Sequence, residues 1–180
     1  MKVTPTELAE VLLIEPRVFG DERGFFFESW NERSFADIGI KARFVQDNHS
    51  RSAKGVLRGL HYQISQPQGK LLRVTAGEIF DVVVDIRKSS PSFGKVTTVR
   101  LASSAKQMLW VPEGFAHGFC VVSEYAEVLY KCTDFYAPEH ERSIAWNDPN
   151  LAIAWPLEGA PTLSFKDSQG IRLSDAELFP

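Results

Sequence analysis

The chain has 180 residues, 44% of them hydrophobic and 24% charged, a balance that belongs to folded globular chains and excludes the disordered and membrane-embedded classes. A formal net charge of -3, with the 20 lysines and arginines scattered along the chain, excludes a nucleic-acid surface but leaves room for a small phosphorylated ligand held by a few arginines. One domain over residues 1–180 is expected, burying roughly 70% of the unfolded chain's surface.

In chain order, the first twenty residues carry Glu7, Glu10 and Glu15 and no long apolar stretch, so neither a secretory leader nor a membrane anchor is expected and a cytoplasmic location follows. Val11–Ile14 opens the strands, and Gly24–Trp30 follows with the aromatic enrichment of another. Asn31 to Gly39 reads as one helix, with Asn31 as N-cap, Phe35 and Ile38 on a shared face and Gly39 as the stop. From Gly55 onward turn signals recur at Gln68-Gly69, Ala76-Gly77, Ser92–Gly94 and Pro112–Gly114. Between them lie Leu71–Thr75, Ile79–Arg87, Lys95–Leu101, Met108–Val111, His117–Val122 and Ala126–Asp134. Short strands at near-regular spacing predict an all-β antiparallel sandwich or barrel. In Ile79–Arg87 the alternation puts Phe80, Val82, Val84 and Ile86 on a core face. Ile79, Asp81, Val83, Asp85 and Arg87 fall on a second face that either borders a cavity or meets solvent. Beyond Asn147 the chain is rich in proline, and irregular structure wrapping the sandwich is expected, with at most a short helix at Ser174–Leu178. Cys120 and Cys132 lie inside apolar strand-like runs, which suits reduced, buried thiols, and two cysteines are too few for a cysteine zinc site.

Two of the four histidines sit in segments that carry chemistry. In Gly55–Gln63, strand alternation places Gly59, His61 and Gln63 on one side and Leu60 and Tyr62 on the other. Arg58 joins His61 only if Gly59 permits a bulge or bend, and such an irregularity is predicted. Read alone, His61 is first a hydrogen-bonded core or rim residue. Val111–Phe119 contains Pro112, Gly114 and His117 in the Pro-x-Gly-x-x-His spacing of the second cupin signature. Metal-binding cupins complete that histidine with a His-x-His pair and a glutamate on an earlier strand, enough nitrogen and oxygen ligands for a transition metal. The earlier strand here reads His61-Tyr62-Gln63, so one histidine of the set is missing and a pocket without metal is expected.

These stretches, together with Phe19–Phe25, Gln46–Ser50, Gly69-Lys70, Tyr130-Lys131 and Phe165–Asp167, run in order along nearly the whole chain and closely resemble the dTDP-4-dehydrorhamnose 3,5-epimerase family of the cupin superfamily. The resemblance implies a cupin-type antiparallel β-sandwich, or jelly roll, with a few short peripheral helices. It implies a dTDP-4-keto-6-deoxy sugar as substrate, inversion at carbons 5 and 3, and no cofactor, since both carbons flank the ketone and carry acidic protons.

By the same resemblance His61 is the general base, a role its near-neutral reference pKa suits, and Asp167 is the carboxylate that fixes its tautomer. Tyr130 is the acid on the opposite face of the sugar. Lys70 is the cation near the ketone oxygen, where one preorganised donor supplies about 3 to 4 kcal/mol of enolate stabilisation. Arg23 and Arg58 resemble diphosphate ligands, and Phe19 and Tyr136 are expected to sandwich the thymine. Glu28, Gln46, Asn48, His117, Glu141 and Lys166 fall where the family contacts substrate. A homodimer is implied, with the N-terminal segment serving the neighbouring subunit's site. Relatives that invert only carbon 5 or only carbon 3, a cupin that binds a nucleotide sugar without catalysis, and a metal-dependent cupin stand as alternatives.

Overall fold

Alternating apolar residues with β-branched and aromatic side chains give thirteen strands in the computed structural model, which describes residues 1–180. The first four are β1 (Lys2–Pro5), β2 (Leu12–Glu15), β3 (Phe19–Asp21) and β4 (Gly24–Phe26). Helix α1 (Glu32–Asp37) starts where expected, because the Asn31 side chain accepts from the Arg33 and Ser34 amides and so satisfies two of the donors a helix start leaves unpaired. Then come β5 (Gln46–Ala53), β6 (Leu57–Gln63), β7 (Lys70–Ala76) and β8 (Glu78–Asp85). The last five are β9 (Val96–Ala102), β10 (Met108–Val111), β11 (Phe115–Val121), β12 (Tyr125–Cys132) and β13 (Glu141–Ser143).

The strands form a six-stranded sheet in the order β1-β2-β10-β7-β12-β5, a five-stranded sheet in the order β13-β6-β11-β8-β9, and a separate β3-β4 ribbon. Every strand pair is antiparallel. This is the cupin-type sandwich. Its main core lies between the sheets, where Ile79, Val83, Phe115 and Phe119 of one meet Leu72, Val74, Leu109 and Val128 of the other.

The second face of β8 is neither a solvent face nor purely a cavity wall: Ile79 and Val83 enter the inter-sheet core, and Asp81 and Asp85 are 0% exposed. The opposite face, with Val82, Val84 and Ile86, packs under Leu151, Trp155, Leu173 and Phe179 of the C-terminal segment. That segment does wrap the sandwich, tied on by the Arg87–Phe179 and Ile144–Ile171 bridges. The helix expected at Ser174–Leu178 is a single 3-10 turn at Leu173–Asp175, and a short helix not foreseen, α2 (Phe165–Ser168), precedes it. Both cysteines are free and buried.

The irregularity expected at Gly59 is present. His117 pairs with His61 and Phe119 with Arg58, so three steps along β6 oppose two along β11, and the Gly59–Leu60 peptide is cis. Gly59 has φ +131, and a Cβ there would stand 2.5 Å from Gly118 Cα. Only glycine fits that approach. The shift brings Arg58 and His61, three residues apart, to the wall of one cavity.

Candidate active site

Between the sheets lies a cavity of about 330 Å³, within the range of small-molecule sites. Arg58, His61 and Gln63 of β6 and His117 of β11 line it from the five-stranded sheet. Gln46 and Asn48 of β5, Lys70 of β7 and Tyr130 of β12 line it from the six-stranded one. Tyr136, Glu141 and Lys166 complete the wall.

His61 Nε2 lies 2.6 Å from Asp167 Oδ1, and that oxygen also accepts the Gly59 amide at 3.1 Å. The other carboxylate oxygen accepts the Ser164 hydroxyl at 2.6 Å. Burial works to raise the Asp167 carboxyl, but the bonds from His61, Ser164 and Gly59 overcome it and hold the group well below the usual carboxylate range. Asp167 is therefore an anion at neutral pH. It obliges His61 Nε2 to donate, so Nδ1 is the bare nitrogen able to take a proton. Burial pulls the imidazole below its ordinary 6.5, and Lys166 and Lys70 act in the same direction against the Asp167 contact. The imidazole is therefore held toward its neutral form.

Tyr130 faces the same cavity from the opposite sheet. Burial first, then Cys132 and Glu141, push its phenol upward against Arg58, so it is a neutral proton donor. Lys70 enters none of the chain's salt bridges. Burial lowers its ammonium, while Cys132, Glu141 and Asp81 work to raise it. Its Nζ is thus left without an ion-pair partner in the chain and open to a ligand atom.

The remaining wall is polar and preorganised. Arg58 Nε donates to Ser52 Oγ at 3.0 Å, leaving the outer fork of the guanidinium for a ligand. Glu141 accepts Tyr136 Oη at 2.8 Å and Lys166 Nζ at 2.7 Å. Gln46 accepts the Tyr136 amide at 2.9 Å and donates to Asn48 at 3.1 Å. Gln63, where metal-binding cupins carry a histidine, donates to the Gln66 and Phe135 carbonyls and accepts the Ala137 amide, so both ends of its amide are engaged. Tyr62 turns away as expected, donating to the Glu177 carbonyl.

Phe19, Arg23 and Glu28 are not brought to this cavity within the chain. Phe19 is 50% exposed on the β3-β4 ribbon with the Arg17 guanidinium 4.7 Å from its ring centroid. Arg23 pairs with its neighbour Asp21, and Glu28 accepts from Asn31 and Ser34 beside α1. Phe19 and Tyr136 of one chain therefore do not flank a common space.

One residue, Asp81, escaped the sequence reading of the site. His117 Nε2 lies 2.8 and 3.0 Å from the two oxygens of Asp81, whose carboxyl is raised by burial against the pull of His117 and Lys70. A wholly buried carboxylate beneath a cavity histidine is costly without that partner. The available signal was an aspartate interrupting an apolar strand, which reads equally as a solvent-facing position.

A cupin-type sandwich whose cavity opposes a histidine–aspartate pair to a half-buried phenol, with an unpaired lysine in its wall, defines an isomerase class that works by moving protons. Residues 5–175 match the family described as dTDP-4-dehydrorhamnose 3,5-epimerase, and the chain belongs to that family. It is 62% identical to the dTDP-4-dehydrorhamnose 3,5-epimerase of Pseudomonas aeruginosa over 100% of both chains. To that of Shigella flexneri it is 56% identical over 99% of both. The crystal structure of the Legionella pneumophila dTDP-6-deoxy-D-glucose-3,5-epimerase in complex with dTDP-4-keto-L-rhamnose superposes with a TM-score of 0.95 at 52% identity, covering 98% of this chain and 94% of that one.

Proposed function

We propose that this chain converts dTDP-4-keto-6-deoxy-D-glucose to dTDP-4-keto-L-rhamnose by inverting carbons 5 and 3 of the sugar. The observation that carries this reading is the opposition of His61, already paired with Asp167, to Tyr130 across one cavity. Epimerisation beside a ketone needs a base on one face of the ring and an acid on the other. It also needs a cation for the enolate oxygen, and no electron changes hands.

In this mechanism His61 Nδ1 takes the proton from carbon 5, and Asp167 stabilises the imidazolium that forms. Lys70 meets the charge that gathers on the carbon 4 oxygen, as a preorganised donor does at any developing oxyanion. Tyr130 returns a proton to the opposite face, and once His61 has released its proton to solvent and the Tyr130 phenolate has taken one back, the cycle repeats at carbon 3. Arg58 holds the diphosphate, Lys166 contacts the substrate, His117 is set against it by Asp81, and Tyr136 stacks on the thymine. Gln46, Asn48 and Glu141 fix the orientation of the bound molecule.

The same reading makes the enzyme a homodimer, in which the ribbon bearing Phe19 and Arg23, with Glu28 beyond it, completes the neighbouring subunit's site. Its support is the exposure of Phe25 and Phe26, 60% and 70% on so short a ribbon, since apolar patches of this kind mark contact surfaces. Residues 1–180 act as one catalytic domain in the cytoplasm. No helix of the chain is long and apolar enough to cross a membrane.

The test is direct assay of the purified protein on dTDP-4-keto-6-deoxy-D-glucose, with products separated after reduction of the ketone. Appearance of the L-rhamno sugar supports the reading. Binding without turnover would instead favour a silent nucleotide-sugar receptor.

A further inference from the structure

Asp167 sits on a helix of only four residues, and the group that aims it is a serine. Ser164 is the N-cap of α2. Its Oγ accepts the Asp167 amide at 3.1 Å and donates to Asp167 Oδ2 at 2.6 Å. An ordinary N-cap makes only the first of these bonds. Here one hydroxyl grips both the backbone and the carboxylate of the same residue, and the oxygen left over is the one that meets His61 and the Gly59 amide.

The rest of α2 does little to set that carboxylate. Phe165 is 84% exposed. Lys166 reaches away to Glu141, and the chain beyond is tied back by the Ile171 amide on the Ser143 carbonyl. These contacts fix where the turn lies but not the rotation of the Asp167 side chain. We infer that Ser164 is a positioning residue for the reaction: it acts through Asp167, fixing the rotation of the carboxylate so that its free oxygen meets His61 Nε2 and holds the imidazole in place. This rests on the reading of His61 and Asp167 given above.

Ser164→Ala removes both bonds. Ser164→Gly removes the hydroxyl at a smaller cost to the helix start, because glycine is tolerated at an N-cap. Ser164→Thr keeps the hydroxyl. Purified variants would be assayed on dTDP-4-keto-6-deoxy-D-glucose across pH, alongside Asp167→Asn and the double variant Ser164→Ala/Asp167→Asn. A hydrogen bond to a charged group is worth a fall of roughly 10- to 100-fold in kcat, expected for both Ser164→Ala and Ser164→Gly with KM little changed. The acidic limb of the rate profile should move to higher pH, because a carboxylate freed of the serine draws the proton on His61 more strongly. Threonine should recover most of the rate, and the double variant should be no slower than Asp167→Asn alone. Wild-type rate and an unmoved acidic limb in the alanine and glycine variants would overturn the inference. So would a full further loss on adding Ser164→Ala to Asp167→Asn, since Ser164 would then act independently of the carboxylate. Full activity in Asp167→Asn itself would overturn the dyad reading as well, which separates the two failures.

Discussion

At the scale of single residues, the proposed chemistry depends on groups held in the right protonation state by their surroundings. His61 is neutral because burial and two lysines press its pKa below 6.5, so kcat/KM should stay level from pH 7 down past 6.5 and fall only below that value. The same depression carries a stability term. The unfolded chain takes up a proton at His61 near pH 6.5 while the folded chain does so only at lower pH, so folding stability declines as pH drops through that interval. Asp167 behaves in the opposite range: its lowered carboxyl supports the fold above the ordinary aspartate value and loses that support only as strong acid protonates it. Replacing His61 with Asn should cost about 10²- to 10⁴-fold in kcat, the span of general acid–base catalysis, while thermal unfolding at pH 7.5 changes little. Tyr130→Phe should lose turnover on a similar scale with substrate affinity retained. A His61→Asn variant of near wild-type rate, or an activity limb well above pH 6.5, would contradict the assignment of the base.

At the scale of elements, the closest fit in the site is glycine against glycine. A Cβ on Gly118 would stand 2.6 Å from the Arg58 carbonyl and 2.9 Å from Gly59 Cα. Gly118→Ala should therefore cost about 1 to 3 kcal/mol of stability, the usual range for overpacking, and should also lower kcat, because the segment it displaces carries both Arg58 and His61. Calorimetry and kinetics on the same variant check both halves. The strands that build the core were legible from Leu71 to Cys132, since apolar alternation against the opposite sheet is what holds them. Met108–Val111 matches residue for residue. Gln46–Ala53 was not read as a strand, although its cavity residues were matched by resemblance. Its inward side chains, Gln46, Asn48 and Ser50, line a polar cavity, and its outward ones, Asp47, His49 and Arg51, are exposed, so no hydrophobic period is left to detect. The aromatic run from Gly24 stops as a strand at Phe26 because it pairs only with β3, and Phe27 turns instead to Arg73. Nothing local to Asp167 marks it, and only the fold, across 106 positions of sequence, delivers it to His61.

At the scale of the whole molecule, a single chain presents most of the proposed site and leaves Phe19, Arg23 and Glu28 on a ribbon and its flank that meet no cavity wall of their own sheet sandwich. Phe26→Asp places a charge on the most exposed ring of that ribbon. Sedimentation should then show a folded monomer in place of a dimer, with a raised KM because each site loses what its neighbour supplies. An unchanged dimer with unchanged KM would move the interface elsewhere. The proposed reaction is proton traffic, and solvent isotope reads it directly. Turnover of dTDP-4-keto-6-deoxy-D-glucose by this enzyme in heavy water, with the product examined by mass spectrometry and NMR, should place deuterium at both carbon 5 and carbon 3. Deuterium at one carbon alone would contradict double epimerisation, and a product free of deuterium at both would contradict proton abstraction altogether.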